Sequence, residues 1–184
     1  KSPSPVALGG SLDVEFSGFT PTPGQVWNIA DAPSFTGAFS NAGIGSILND
    51  VSGAASTPIG QAYRLRQTSG GSNGQLLQVA LESVLVLRVN RDTGELSLRN
   101  PLGAPVPSLA GYTITSPTAG ALLPTYKGIS GAPAGNSGWE LAPTNSVNGL
   151  AEFKPVGSFN VSTAGATVSL GNGFDKTAAE SLGL

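Results

Sequence analysis

The stretch Val84-Leu85-Val86-Leu87-Arg88-Val89-Asn90-Arg91-Asp92-Thr93-Gly94-Glu95-Leu96-Ser97-Leu98-Arg99-Asn100 decides the fold class of this chain. Two strand-length runs flank a polar stop, Arg91-Asp92-Thr93-Gly94. In the second run Leu96 and Leu98 alternate with Glu95, Ser97 and Arg99. That is the two-residue period of a strand with one dry face and one wet face. Gly94 supplies the positive φ that a tight hairpin turn demands. Residues 84–90 and 95–100 are therefore predicted to form a β-hairpin.

The same period extends outward. Leu12, Val14 and Phe16 alternate with Asp13 and Glu15, and residues 25–30 carry Val26, Trp27 and Ile29 after the stiff turn Thr20-Pro21-Thr22-Pro23-Gly24. Residues 63–67 and 75–81 read as strands joined by Thr68-Ser69-Gly70-Gly71-Ser72-Asn73-Gly74. Further strands are predicted at 112–116, 149–154, 158–162 and 166–170. Only 176–182 reads as helix, with Asp175 as its N-cap. Nine or more short strands at close turn spacing predict an all-β fold, an antiparallel β-sandwich or jelly roll. No repeat of constant length supports a solenoid. Residues 1–10 read as an extended arm and 11–184 as the sandwich, with a subdivision near residue 75 left open.

Composition bounds the function. The chain has 184 residues, of which 39% are apolar and only 11% charged, with a net charge of −2. Ordinary soluble domains carry roughly 25% charged residues. The 26 Gly and 14 Pro are read as turn residues, because the apolar content is high enough to fill a core. Nine scattered Lys and Arg make no basic stripe, which argues against nucleic acid as a partner. With no Cys there is neither a disulfide framework nor a thiolate metal site. No apolar run approaches the ~20 residues that a membrane-crossing helix needs. A start at Lys1 and the lack of Met are read as processing or excision from something larger.

Candidate chemistry is thin. Gly70-Gly71-Ser72-Asn73-Gly74 matches the G-x-S-x-G pattern, but a nucleophile elbow needs a His base and a following helix. The chain has no His, so the match reads as a loop. Asp13 and Glu15 share a strand face and read as a solvated surface rather than an acid pair. Asp92 reads as a turn residue. A loop calcium site, with Asp50 beside Asn49 or Asp92 beside Asn90, is the one metal reading weighed; otherwise no cofactor is expected. Among the aromatics, Trp139 offers a flat face for stacking on a sugar ring, with Tyr126 and Asn136 beside it; the competing reading puts Trp139 in the core. Asn160-Val161-Ser162 is a glycosylation sequon placed within a predicted strand.

Two stretches resemble known modules. Gly24-Gln25-Val26-Trp27-Asn28-Ile29 followed by Ser34-Phe35-Thr36-Gly37-Ala38-Phe39 is similar to a GQxFxI…LxGxF strand pair. The 87–100 segment followed by Gly111-Tyr112-Thr113-Ile114-Thr115-Ser116 resembles an LxVNxxTGxxxLxN…GYxIxS segment, and Glu152 and Val168-Ser169-Leu170-Gly171 fit its later part. Both patterns are similar to extracellular β-sandwich modules of large bacterial secreted proteins, of autotransporter-like and PEP-CTERM type. The resemblance implies an exported, cell-surface or extracellular all-β module and brings no catalytic residue.

The leading expectation is a non-catalytic structural or adhesive module, a self-assembling subunit of a surface layer or fibre. Its partners are copies of itself or other surface proteins. Open sheet edges supply the joints, and Lys1, Pro3, Pro5, Val6 and Leu8 form a donor arm. The alternative is a carbohydrate-binding module of a polysaccharide-active protein, using Trp139, Tyr126 and Asn136. A carboxylate-dependent glycan hydrolase or lyase is the third reading.

Overall fold

The computed structural model describes residues 4–49, 51–53, 57–102, 109–116, 120–131, 138–161, 163–178 and 182. Among them the chain is all-β, with no barrel, and its only helical element is a single 3-10 turn at Ile129–Gly131. Contacts divide the chain into two compact units, Lys1–Val84 and Leu85–Leu184. Each has its own buried apolar cluster.

In the first unit the strands are β1 (Val6–Leu8), β2 (Val14–Glu15), β3 (Val26–Ala32), β4 (Phe35–Gly37), β5 (Val51–Ser52), β6 (Gln61–Gly71) and β7 (Gly74–Ser83). An antiparallel sheet in the order β3-β7-β6 is the main layer. Register explains its two faces. Tyr63 opposes Leu81, Leu65 opposes Val79 and Trp27 also opposes Val79, so one face is apolar. Arg64, Arg66, Gln78 and Asn28 alternate onto the other face.

Phe16, Phe35, Leu48 and the partly buried Val6, Leu8 and Val14 pack against the apolar face. All but Leu48 come from or directly follow short segments paired in parallel, β1 with β4 and β2 with β5, whereas the Leu48 N–H donates to the Tyr63 carbonyl of β6 at 2.8 Å. The sequence expectation was antiparallel throughout. These two- and three-residue pairings are parallel because both partners are short covers laid over one sheet rather than arms of a hairpin. Phe16 sits at the centre of the aromatic packing, with ring centroids 4.6 Å from Trp27 and 5.3 Å from Tyr63.

The β6–β7 hairpin runs longer than its apolar residues predict. Its polar end is held from outside the hairpin by Asp31, whose carboxylate accepts from Ser72 N–H at 3.1 Å, Ser72 Oγ at 2.6 Å and Asn73 N–H at 2.9 Å. The G-x-S-x-G match is thus a strapped hairpin turn, and its serine hydroxyl is engaged with that strap.

In the second unit β8 (Val86–Asn90), β9 (Glu95–Arg99) and β13 (Thr167–Asn172) form a sheet in the order β13-β9-β8. A second sheet has the order β10-β12-β11, from β10 (Gly111–Thr115), β11 (Glu140–Leu141) and β12 (Gly149–Phe153). Both are antiparallel. One core joins Leu96, Leu98 and Leu170 of the first sheet to Ile114 and Leu150 of the second. Two sheets over a shared apolar layer are consistent with a β-sandwich.

The deciding hairpin forms as read, Leu87 opposite Leu98 and Asn90 opposite Glu95. Its turn is organised by Asn90 rather than Asp92. The Asn90 Oδ1 accepts from Asp92 N–H at 3.0 Å and Thr93 N–H at 3.2 Å, while Asp92 is exposed. Asn90 stands two residues before the amides it caps, the reach of an Asx turn. Gly94 has φ +79°, and a Cβ there would lie 2.6 Å from the Phe174 carbonyl oxygen.

Segment 158–162 contributes only a bridge between Leu109 and Phe159 among the described residues. Asp175 caps a turn, accepting from Thr177 N–H at 2.9 Å; much of the helix expected at 176–182 lies outside the described residues.

Leu98 is 1% exposed at the centre of the second unit's core. Leu98→Ala is expected to cost about 2–5 kcal/mol of unfolding free energy, measured by urea denaturation, with little change for Ser97→Ala on the opposite, half-buried face.

Candidate functional site

The sequence candidates for a sugar platform turn inward. Trp139 is 5% exposed, with ring centroids 5.9 Å from Tyr112 and 6.5 Å from Phe159. Tyr126 is 2% exposed. Both belong to the second unit's core cluster, so neither ring offers a free face for stacking. Of the two readings of Trp139 the core one is observed, since Glu140 and Leu141 pair onto β12 and the indole before them is buried. Its Nε1 is buried without a hydrogen-bond partner among the described residues. Asn136 lies outside the described residues.

What these rings surround is a carboxylate. Glu152 sits on β12 with Leu150 two residues before it, so strand parity turns both to the inside. Glu152 is 1% exposed and saturated with donors. The Tyr112 hydroxyl donates to its Oε2 at 2.6 Å, Ile129 N–H to Oε2 at 2.7 Å and Ser130 N–H to Oε1 at 2.6 Å. Tyr126 completes a relay. The one hydroxyl proton of Tyr112 goes to Glu152, so the Tyr126 hydroxyl donates to Tyr112.

This satisfies a buried charge through hydrogen bonds in place of a counter-ion. Gly128 is what lets the 128–131 turn come so close. Its φ is +62°, and a Cβ there would lie 2.4 Å from Oε2.

Electrostatics keep both phenols protonated. Burial pushes Tyr112 far above the ordinary phenol range, reinforced by neighbouring Tyr126 and by its hydrogen bond to Glu152. Burial also raises Tyr126; the bond to Tyr112 pulls the other way, and the Glu152 charge raises it again. A carboxylate enclosed by amides and phenols has no acceptor position turned to solvent. The cluster fastens a turn to a sheet.

The acids weighed from sequence lie elsewhere. Asp13 and Glu15 are exposed. Glu82 pairs with Arg64 at 2.9 Å and Arg66 at 3.4 Å on the polar face of β3-β7-β6. On that face Arg66 Nε donates to Gln78 Oε1 at 3.1 Å, and Gln78 Nε2 donates to Asn28 Oδ1 at 2.7 Å. No group of three or more metal-ligating side chains gathers among the described residues; Asp50 is not among them.

The expected donor arm is built into its own unit. Val6–Leu8 pairs with Phe35–Gly37, Val6 and Leu8 pack on the core, and Pro5 is exposed. Lys1 and Pro3 lie outside the described residues.

The open feature is an edge. β3 is bonded on one side only, to β7, and no backbone hydrogen bond reaches its outer side from the described residues. Val26 is 39% exposed and Ile29 44%. The Leu81 N–H donates to the Gln25 carbonyl at 3.0 Å. Ladder alternation then turns the backbone groups of Val26 outward. A register shift between Asn28 and Ala30 marks a bulge that ends the regular edge. Comparison with protein-family models, with curated proteins and with solved structures returns no match for this chain.

Two outcomes follow from the glutamate cluster. Glu152→Gln places an amide donor against backbone N–H groups and is expected to cost about 2–3 kcal/mol, read by urea denaturation; Gly128→Ala destabilises at least as much. In an alkaline titration followed at 295 nm, Tyr112 and Tyr126 stay protonated well past pH 10, and burial raises Tyr63 as well, so no tyrosine titrates as a free phenol. Because their folded values are raised, the stability they confer is complete below the unfolded phenol value of about 10 and declines as pH climbs above it.

Proposed function

We propose that this chain is a non-catalytic extracellular structural or adhesive module that joins its partners by strand addition. The partners are further copies of itself or other surface proteins. The observation that carries the reading is the outer edge of β3 before its bulge, where the outward backbone groups of Val26 lack a backbone partner among the described residues and where Val26 and Ile29 are exposed. An unpaired edge is a template for another extended segment. The sparse charge lets such a partner approach with little to desolvate.

Secretion to the cell surface rests on the resemblance to exported β modules. The non-catalytic reading is supported by the lack of His and by the closure of Glu152. No cofactor enters it.

Val26→Pro tests the joint. Proline at this position removes an outward N–H and leaves the bonds to β7 in place. Sedimentation of the wild type over rising concentration is expected to show self-association that Val26→Pro and Ile29→Lys abolish, with the melting temperature held within a few degrees. A strictly monomeric wild type that captures no surface protein through this edge removes the reading.

A further inference from the structure

We propose that the outer face of the β8-β9-β13 sheet binds an acidic polysaccharide through Arg88 and Arg99. A trough of about 590 Å³ opens on this face, lined by Arg88, Val89, Asn90, Arg91, Glu95, Ser97 and Thr167, and Arg99 stands just outside it, two residues along the same strand face from Ser97. Register places the groups side by side, with Arg88 opposite Ser97 and Arg99 flanked by Val86 and Thr167. The face is wet because the partner residues of the same strands, Leu96, Leu98 and Leu170, fill the core.

The two arginines are the unusual element. Arg64 and Arg66 are taken up by the Glu82 carboxylate. Arg88 and Arg99 have neither a hydrogen bond nor an ion pair among the described residues. Arg91, at the end of the trough, lies over the Phe174 ring at 5.2 Å and donates to the Ala178 carbonyl at 3.1 Å, so it adds charge from a fixed position. A guanidinium presents a planar fork that matches a carboxylate or sulfate with two parallel hydrogen bonds.

The remaining lining selects a sugar over an acidic peptide. Asn90, Ser97 and Thr167 offer an amide and two hydroxyls, groups that exchange hydrogen bonds with sugar hydroxyls. Glu95 is held by Ser169 Oγ at 2.7 Å and keeps acceptor capacity toward the trough. That carboxylate repels a densely acidic peptide, whereas a sugar acid carries hydroxyl donors between its charges. The site lies in the second unit and is independent of strand addition at β3 in the first. Either can fail alone.

The test is titration calorimetry of the full chain with an oligogalacturonate, a sulfated dextran oligomer, a neutral dextran oligomer and polyglutamate. Binding of the carboxylated or the sulfated sugar, with no heat from neutral dextran or polyglutamate, is expected, and the stronger of the two identifies the acid. Arg88→Ala and Arg99→Ala should each weaken it roughly tenfold or more. Arg88→Lys should fall between, since it keeps the charge and loses the fork. Lys127→Ala, which removes an equal charge outside the trough, should bind as the wild type does. Absence of binding by both acidic sugars, equal binding of polyglutamate, or equal loss in Lys127→Ala would overturn the proposal. Unchanged melting curves confirm that the arginine variants are folded.

Discussion

Both units depend on one constraint: a small antiparallel sheet must hide one face. With so little charge in the chain, solubility and core formation are divided by the pleat itself, side chain by side chain. In the first unit Leu65, Leu77 and Val79 are dry while Arg64, Arg66 and Gln78 stand on the reverse. In the second, Leu96 and Leu98 are dry while Ser97 and Arg99 are not. A one-residue slip of register would exchange these sets completely. The devices that fix register therefore carry disproportionate weight. They include the Asp31 strap on the long hairpin, the Asn90 turn, and the shifts at Asn28/Ala30 and Ser169/Gly171.

The strands were legible wherever apolar and polar residues alternate, as at 95–100 and 63–67. They were less legible where polar residues extend a ladder, because there the hydrogen-bond partner and not the side chain decides. Asp31 is 41 residues from Ser72, and nothing local announces that contact. The parallel covers β1–β4 and β2–β5 have the same origin. Each strand is too short to carry a period, and the pairing follows from which apolar side chains the sheet below has to receive.

The glutamate cluster was not read from the sequence, although part of its basis is there: Leu150 and Glu152 share strand parity, as do Tyr112 and Ile114, while the register that sets Tyr112 opposite Glu152 is a tertiary fact. The amides that neutralise it come from a turn more than twenty residues away in sequence, which parity cannot supply. For Trp139 the sequence left a free ring and a core ring both open. Small residues before it suggested a surface loop, yet two residues of pairing onto β12 were enough to commit the indole to the core.

The way Glu152 is held has a consequence for how this chain can vary over generations. Two of its three donors are main-chain groups, which every amino acid except proline provides. Identities at 129 and 130 are thus free to drift as far as the carboxylate is concerned. Gly128 and Glu152 are not: one must lack a side chain for the other to fit. Substitution along this turn should accumulate beside the anchor while the two ends of the contact change together or stay as they are.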